Sequence, residues 1–215
     1  REFEEELVWA YFGIQSKNVH HLRLGFYTGD IFTEQPKRDR DVKPILEQLK
    51  EFDPTVVSLA FDPEGSGPDT HYKVLQVIAE ALKMWSREKD LSGLRIWGYR
   101  NVWYRFHPAE ANRIVPVSLN AMGVMDNAFT NSYLSQVDAS FPSYQHDGKF
   151  SDLTKRIWVE QLKMLHLLLG KDSFYQHESP RVRTTHGLLF YKEMTLDEFL
   201  SHARELEKSM EGVVL

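Results

Sequence analysis

A chain of 215 residues with 26 Lys and Arg against 31 Asp and Glu carries a formal net charge of -5, and 42% of its residues are hydrophobic. That profile is an ordinary globular one, large enough to bury a substantial core; its mild acidity, without a long basic block, argues against nucleic acid as a partner, and no apolar run approaches the roughly 20 residues that cross a bilayer. The absence of cysteine excludes disulfides, thiolate metal sites and cysteine nucleophiles, and together with the lack of a signal-peptide pattern it fits a reducing compartment, so the expected location is the cytoplasm.

Phe3, Leu7, Val8, Tyr11 and Phe12 fall at helical spacing and predict a helix from Glu2 to Gln15 that closes near Gly13. Val19 to Leu24 alternates weakly and predicts a short strand leading into a loop from Gly25 to Asp30. After the charged stretch Glu34 to Asp41, the residues Val42, Ile45, Leu46 and Leu49 mark a second helix ending near Phe52. The β-branched run from Pro54 to Phe61 reads as a buried parallel strand. A loop from Asp62 to Asp69 follows, then an amphipathic helix from Thr70 to Ser86 and a strand from Leu94 to Tyr99. Alternating strands and helices of this kind predict an α/β fold, Rossmann-like, with a mainly parallel sheet and helices on both faces. Beyond Asn101 the pattern changes to a helix-rich part. Extended segments are predicted at Val102 to Phe106 and around Val115, helices at Asn120 to Gln136 and Asp152 to Leu169, and a last strand at Thr184 to Tyr191. Thr195 and Glu198 form a capping box at the start of the final helix. There is no internal repeat and no interdomain linker, so residues 1–215 read as one domain, with an α/β core over 1–105 and a helix-rich completion over 106–215.

Ligands of open α/β sheets bind beyond the carboxyl ends of the strands, and the loop after the 54–61 strand lies there. It carries Asp62, Glu64 and Asp69 and delivers His71 into the first turn of a helix. An imidazole beside carboxylates suits Zn²⁺ or another divalent ion; the spacing alone favours the alternative, in which Asp69 or Thr70 caps the helix and His71 lies on the surface. Tyr27, Thr28 and Asp30 offer hydroxyl and carboxylate groups at the same edge, or form an ordinary turn. Trp97 to His107 is dense in aromatics and arginines, which fits either stacking on a sugar ring, with Arg reading polar groups, or a core strand with snorkelling arginines. His20 and His21 are adjacent rather than facing, and His166 falls within a helix's apolar periodicity. No nucleophile elbow and no phosphate-binding P-loop occurs.

The stretch Asp62-Pro-Glu-Gly-Ser-Gly-Pro-Asp-Thr-His71-Tyr-Lys-Val, with Asn18-Val-His-His-Leu-Arg-Leu-Gly-Phe-Tyr-Thr-Gly29 before it and Leu94 to Arg100 after it, resembles the PIG-L/LmbE-like family. These are metal-dependent N-acetylglucosaminyl deacetylases with a Rossmann-like fold, and the likeness is greatest to the LmbE-type domain fused behind glucosamine-6-phosphate deaminase-like domains. The resemblance implies amide hydrolysis on an N-acetylated aminosugar, with Zn²⁺ or another divalent ion as cofactor. His71 matches one metal ligand; Asp69 takes the place of an acid at the site, and Tyr27, Arg100 and Trp103 that of sugar contacts. The implied partners are an aminosugar or phosphosugar and a fused or associated deaminase domain, with no nucleic acid and no membrane.

The chain departs from the family in two ways. The His-Pro-Asp-Asp motif that supplies two further ligands and the base is absent, and Pro68 stands where a second His is common. The start at Arg1, inside a predicted helix, leads to the expectation of a fragment lacking its first strand, inactive by itself. The alternative is a domain that has lost its metal and binds a sugar or phosphosugar as a regulatory module.

Overall fold

Residues 1–26, 33–62, 69–100, 105–137 and 148–211 are described by a computed structural model. Their helices are α1 (Glu2–Tyr11), α2 (Lys43–Phe52), α3 (Asp69–Trp85), α4 (Leu119–Ser132), α5 (Phe150–Leu169), α6 (Asp172–Tyr175), α7 (Pro180–Arg183) and α8 (Leu196–Glu211). The strands are β1 (Val56–Ala60), β2 (Arg95–Tyr99), β3 (Arg113–Ser118) and β4 (Thr185–Met194), in the order β1-β2-β4-β3. No described helix is long and apolar enough to cross a membrane.

The fold is mixed α/β, and the parallel relation is limited to β1 and β2; β4 runs antiparallel to β2, with Ile96 opposite Met194 and Tyr99 opposite Tyr191. The expected mainly parallel sheet is therefore replaced by one parallel pair, with the remaining strands antiparallel. The reason is that the last strand, rather than another βαβ crossover, fills the place beside β2. The strand predicted at Val19 to Leu24 is also absent. A short 3-10 turn at Ser16–Asn18 leads into irregular chain, and Arg23 sits at φ 49, a left-handed conformation that interrupts an extended ladder. Of the segment predicted as extended at Val102 to Phe106, positions 102–104 lie outside the described residues, and Arg105 and Phe106 are irregular.

The chain divides into two compact units. One comprises Arg1–His21 and Ile114–Phe190, the other Leu22–Arg113 and Tyr191–Leu215. In the first unit α1 packs on α4 and α4 on α5, burying Met122, Ala128, Leu153 and Ile157, with Val117 of β3 and Leu188 and Phe190 of β4 also inside. His166 stacks edge-on against Phe174, at 4.8 Å between centroids.

The second unit places its helices on one face of β1, β2 and the end of β4. Strand alternation sends Leu59, Ile96 and Met194 to that face, where they join Leu46 and Leu49 of α2, Leu75 and Leu82 of α3 and Phe199 of α8 in one core. The opposite face carries Ser58, Trp97, Tyr99, Tyr191 and Glu193. There Glu193 accepts from Trp97 Nε1 at 2.8 Å and pairs with both arms of Arg113 at 2.7 and 2.8 Å. The capping box forms as the sequence predicts: Thr195 N donates to Glu198 at 2.7 Å, and Glu198 N to Thr195 Oγ1 at 3.3 Å.

A fully buried carboxylate fixes the entry to this unit. Asp41 is 0% exposed, accepting from Gly25 N and Lys37 N, each at 2.7 Å, and from the Arg40 guanidinium at 3.0 Å. Gly25 lies so close under Arg40 that a Cβ there would meet its side chain at 2.3 Å. Burial pushes the Asp41 carboxyl up, but the Arg40 guanidinium and the two amides outweigh it and hold it below the usual carboxylate range. Replacing Asp41 with Ala strands three donors and should cost about 3 kcal/mol in urea unfolding at neutral pH. Because the folded pKa is depressed, this contribution is complete above the unfolded value of about 3.9 and disappears as pH falls through the folded pKa. The gap between wild type and Asp41→Ala should therefore narrow on acidification below about pH 4.

Candidate functional site

The parallel pair β1 and β2 ends on one edge of the sheet, and both chains leave it toward the same place. Phe61 continues the ladder by donating its N–H to Tyr99 O at 2.7 Å. Its ring lies across β2 at Gly98, where a Cβ would come within 2.7 Å of Phe61 Cβ and 2.8 Å of its Cγ. The ring then meets His202 of α8 edge-on at 5.6 Å. This packing delivers Asp62, with a side chain only 5% exposed, to the end of the strand.

Asp62 Oδ2 lies 2.7 Å from His71 Nδ1 in the first turns of α3, and Asp62 Oδ1 is buried with no hydrogen-bond partner among the described residues. An imidazole held at Nδ1 by a carboxylate has its orientation fixed and its Nε2 directed away from that carboxylate. Beside the pair is a cavity of about 260 Å³ lined by Phe61, Asp62, Arg100, Phe106, Lys192 and His202, among others. Arg100 follows β2 and is held firmly. Its guanidinium donates to Glu110 at 3.2 and 3.3 Å and to Arg105 O at 2.9 Å, and it lies 4.3 Å from the centre of the Phe106 ring. Burial pushes the Glu110 carboxyl up, but the His107 amide and Arg100 hold it below its ordinary range.

Of the residues singled out in the sequence, His71 and Arg100 are both brought to this edge. Asp69 is engaged elsewhere. It pairs with the buried Lys73 at 2.7 Å and accepts from the Thr33 hydroxyl, and Lys73 also donates to Thr33 O at 2.9 Å. Burial raises the Asp69 carboxyl, but these two donors hold it below the usual range, and it does not line the cavity. Tyr27 and Trp103, like Thr28, Asp30 and Glu64, lie outside the described residues. Lys192 and His202 escape the sequence reading because they arrive from β4 and α8, about ninety residues or more after the strands they join. A lysine inside the apolar pattern of β4 is the local signal for the first; His202 has none.

Among the described residues, no three His, Cys, Asp or Glu side chains come together to hold a metal ion. A catalytic zinc takes three protein ligands, so the His71–Asp62 pair does not fit the ion by itself.

No family model matches the chain, and no solved structure matches it. A Bacteroides thetaiotaomicron protein, named as glucosamine-6-phosphate deaminase-like, is 26% identical over 146 residues. The similarity covers 66% of this chain and 21% of that protein, so the chain spans about a fifth of its relative's length.

The geometry makes Gly98 a requirement of the site. Gly98→Ala should lower stability by about 1–3 kcal/mol in thermal or urea unfolding, by forcing Phe61 off β2. A variant pairing it with Phe61→Gly, which removes both the Cβ and the ring that the new methyl would meet, should recover part of the Gly98→Ala loss.

Proposed function

We propose that the chain is an aminosugar-recognition domain, part of a protein of the glucosamine-6-phosphate deaminase-like kind, and that it takes a sugar or phosphosugar in the cavity past β1 and β2. The observation that carries this reading is Asp62, buried at the carboxyl end of a parallel strand, held by His71 on one oxygen and without a hydrogen-bond partner on the other among the described residues. A buried carboxylate oxygen without a donor is costly, and a ligand hydroxyl or amine satisfies it. The Phe61 and Phe106 rings offer apolar faces for a sugar ring. The relative's name supplies the substrate class.

The contact at His71 Nδ1 favours a second reading, the metal-dependent N-deacetylase that the PIG-L/LmbE resemblance implies. Metal-binding imidazoles characteristically donate their other ring N–H to a carboxylate, so His71 would be one ligand of Zn²⁺ or another divalent ion and Asp62 its orienting acid. The remaining ligands are not among the described residues, and no catalytic step is drawn through the ion.

Calorimetry with glucosamine 6-phosphate and N-acetylglucosamine 6-phosphate, with and without Zn²⁺, together with an assay for released acetate, separates the readings. Metal-independent binding that His71→Ala weakens about tenfold or more, without acetate release, is expected for the recognition domain. Zinc-dependent acetate release supports the deacetylase instead. No binding of either sugar under any condition refutes the first reading.

A further inference from the structure

We propose that the chain docks a second copy of itself, the acidic, apolar stripe of α1 in one copy seating on the basic, apolar end of α5 in the next.

A surface helix ordinarily turns its apolar stripe inward and its charges outward. In α1 no residue is buried, and Glu4 is drawn toward the neighbouring chain, accepting from Ser135 N at 2.9 Å and from the Ser135 hydroxyl. Phe3, Leu7 and Tyr11, each one helical turn after the last, are exposed instead, Phe3 at 70%. Ile14, just past the helix, is exposed as well. The charge of this surface is of one sign: Glu2–Tyr11 holds four glutamates and neither Lys nor Arg.

The last turns of α5 carry the complement. Leu162 and Leu165 are buried and His166 packs on Phe174, so that side of the helix is committed to its own unit. The other side presents Met164, Leu167 and Leu168, with Leu167 88% and Leu168 63% exposed. Lys163 stands one turn before Leu167, and from Gln161 to Lys171 there are two lysines and a histidine but no acid.

Both patches belong to the same compact unit, so every copy carries the two halves of the contact. Charge chooses between the possible pairings. Two α1 helices laid together would bring their glutamates against one another, and two α5 ends their lysines; α1 on α5 sets acid against base. Such charges select the partner surface, while the apolar side chains supply most of the affinity. A buried aromatic side chain covers about 150–250 Å², so Phe3, Tyr11, three leucines and Met164 with their charged margins give a contact of roughly 1,000 Å², the size of small reversible interfaces. Because the two patches are different surfaces, the contact is heterologous: one copy engages a neighbour through α1 and another through α5.

Sedimentation velocity on the 215-residue chain, from about 1 to about 300 μM, tests this. The mean mass should rise above that of the monomer with concentration, and less steeply in high salt. Phe3→Glu and Leu167→Glu, both at exposed positions that leave the fold alone, should each weaken association about tenfold or more. A chain with Glu2→Lys and Glu6→Lys should stay monomeric by itself, as should one with Lys163→Glu and Lys171→Glu, and mixing the two should restore assembly. A wild-type monomer throughout overturns the inference, including one that sediments with phosphatidylserine vesicles, which would assign the end of α5 to a membrane surface. Assembly that survives Leu167→Glu and the lysine exchange overturns it too, since α1 would then be pairing without α5. So does a mixture that fails to assemble.

Discussion

The close approach of Phe61 to β2 is the constraint on which the site depends. It requires a residue without a side chain at position 98, and Gly98 meets that requirement. Once the ring lies there, it packs against His202 and ties α8 to the strand ends. The chain then leaves β1 with Asp62 turned toward His71 rather than toward solvent. A larger residue at position 98 would disturb the sheet, the helix layer and the polar pair together, because one ring serves all three.

Asp41 plays the corresponding part at the entry to the unit. Its two oxygens gather an amide from each of two separate stretches, at Gly25 and Lys37, along with the Arg40 guanidinium. Phe26, 0% exposed, follows directly and enters the core. Fold and site are thus built similarly, each around a buried acid next to a glycine that admits a close neighbour. The difference is in saturation. Asp41 has its donors, whereas Asp62 has one oxygen without a hydrogen-bond partner among the described residues.

Local patterns were legible in the sequence where local physics decides them. The apolar periodicity of residues 70–86, the β-branched run of β1 and the capping box at Thr195 all lead to the elements they announce. Sheet order was not legible, because nothing within Thr185 to Met194 says that it lies antiparallel beside β2; that depends on where the preceding helices return the chain. The weak alternation of Val19 to Leu24 failed for a backbone reason, the positive φ of Arg23, that side-chain hydropathy does not register. At the site, the sequence supplied His71, Asp62 and Arg100 through the loops that follow the strands. It could not supply Lys192 and His202, which reach the cavity through tertiary folding. It also left open whether Asp69 served a ligand or the helix, and its carboxylate is engaged by Lys73 and Thr33.

The position of β1 has a further consequence. It stands at one end of the strand order, and within Val56 to Ala60 there is neither a charge nor a proline to discourage another strand from pairing with it. Val56 is 42% exposed there. Among the described strands, this margin lacks the charges and prolines by which edge strands ordinarily discourage pairing with another chain, so the net charge of the protein does little to guard it.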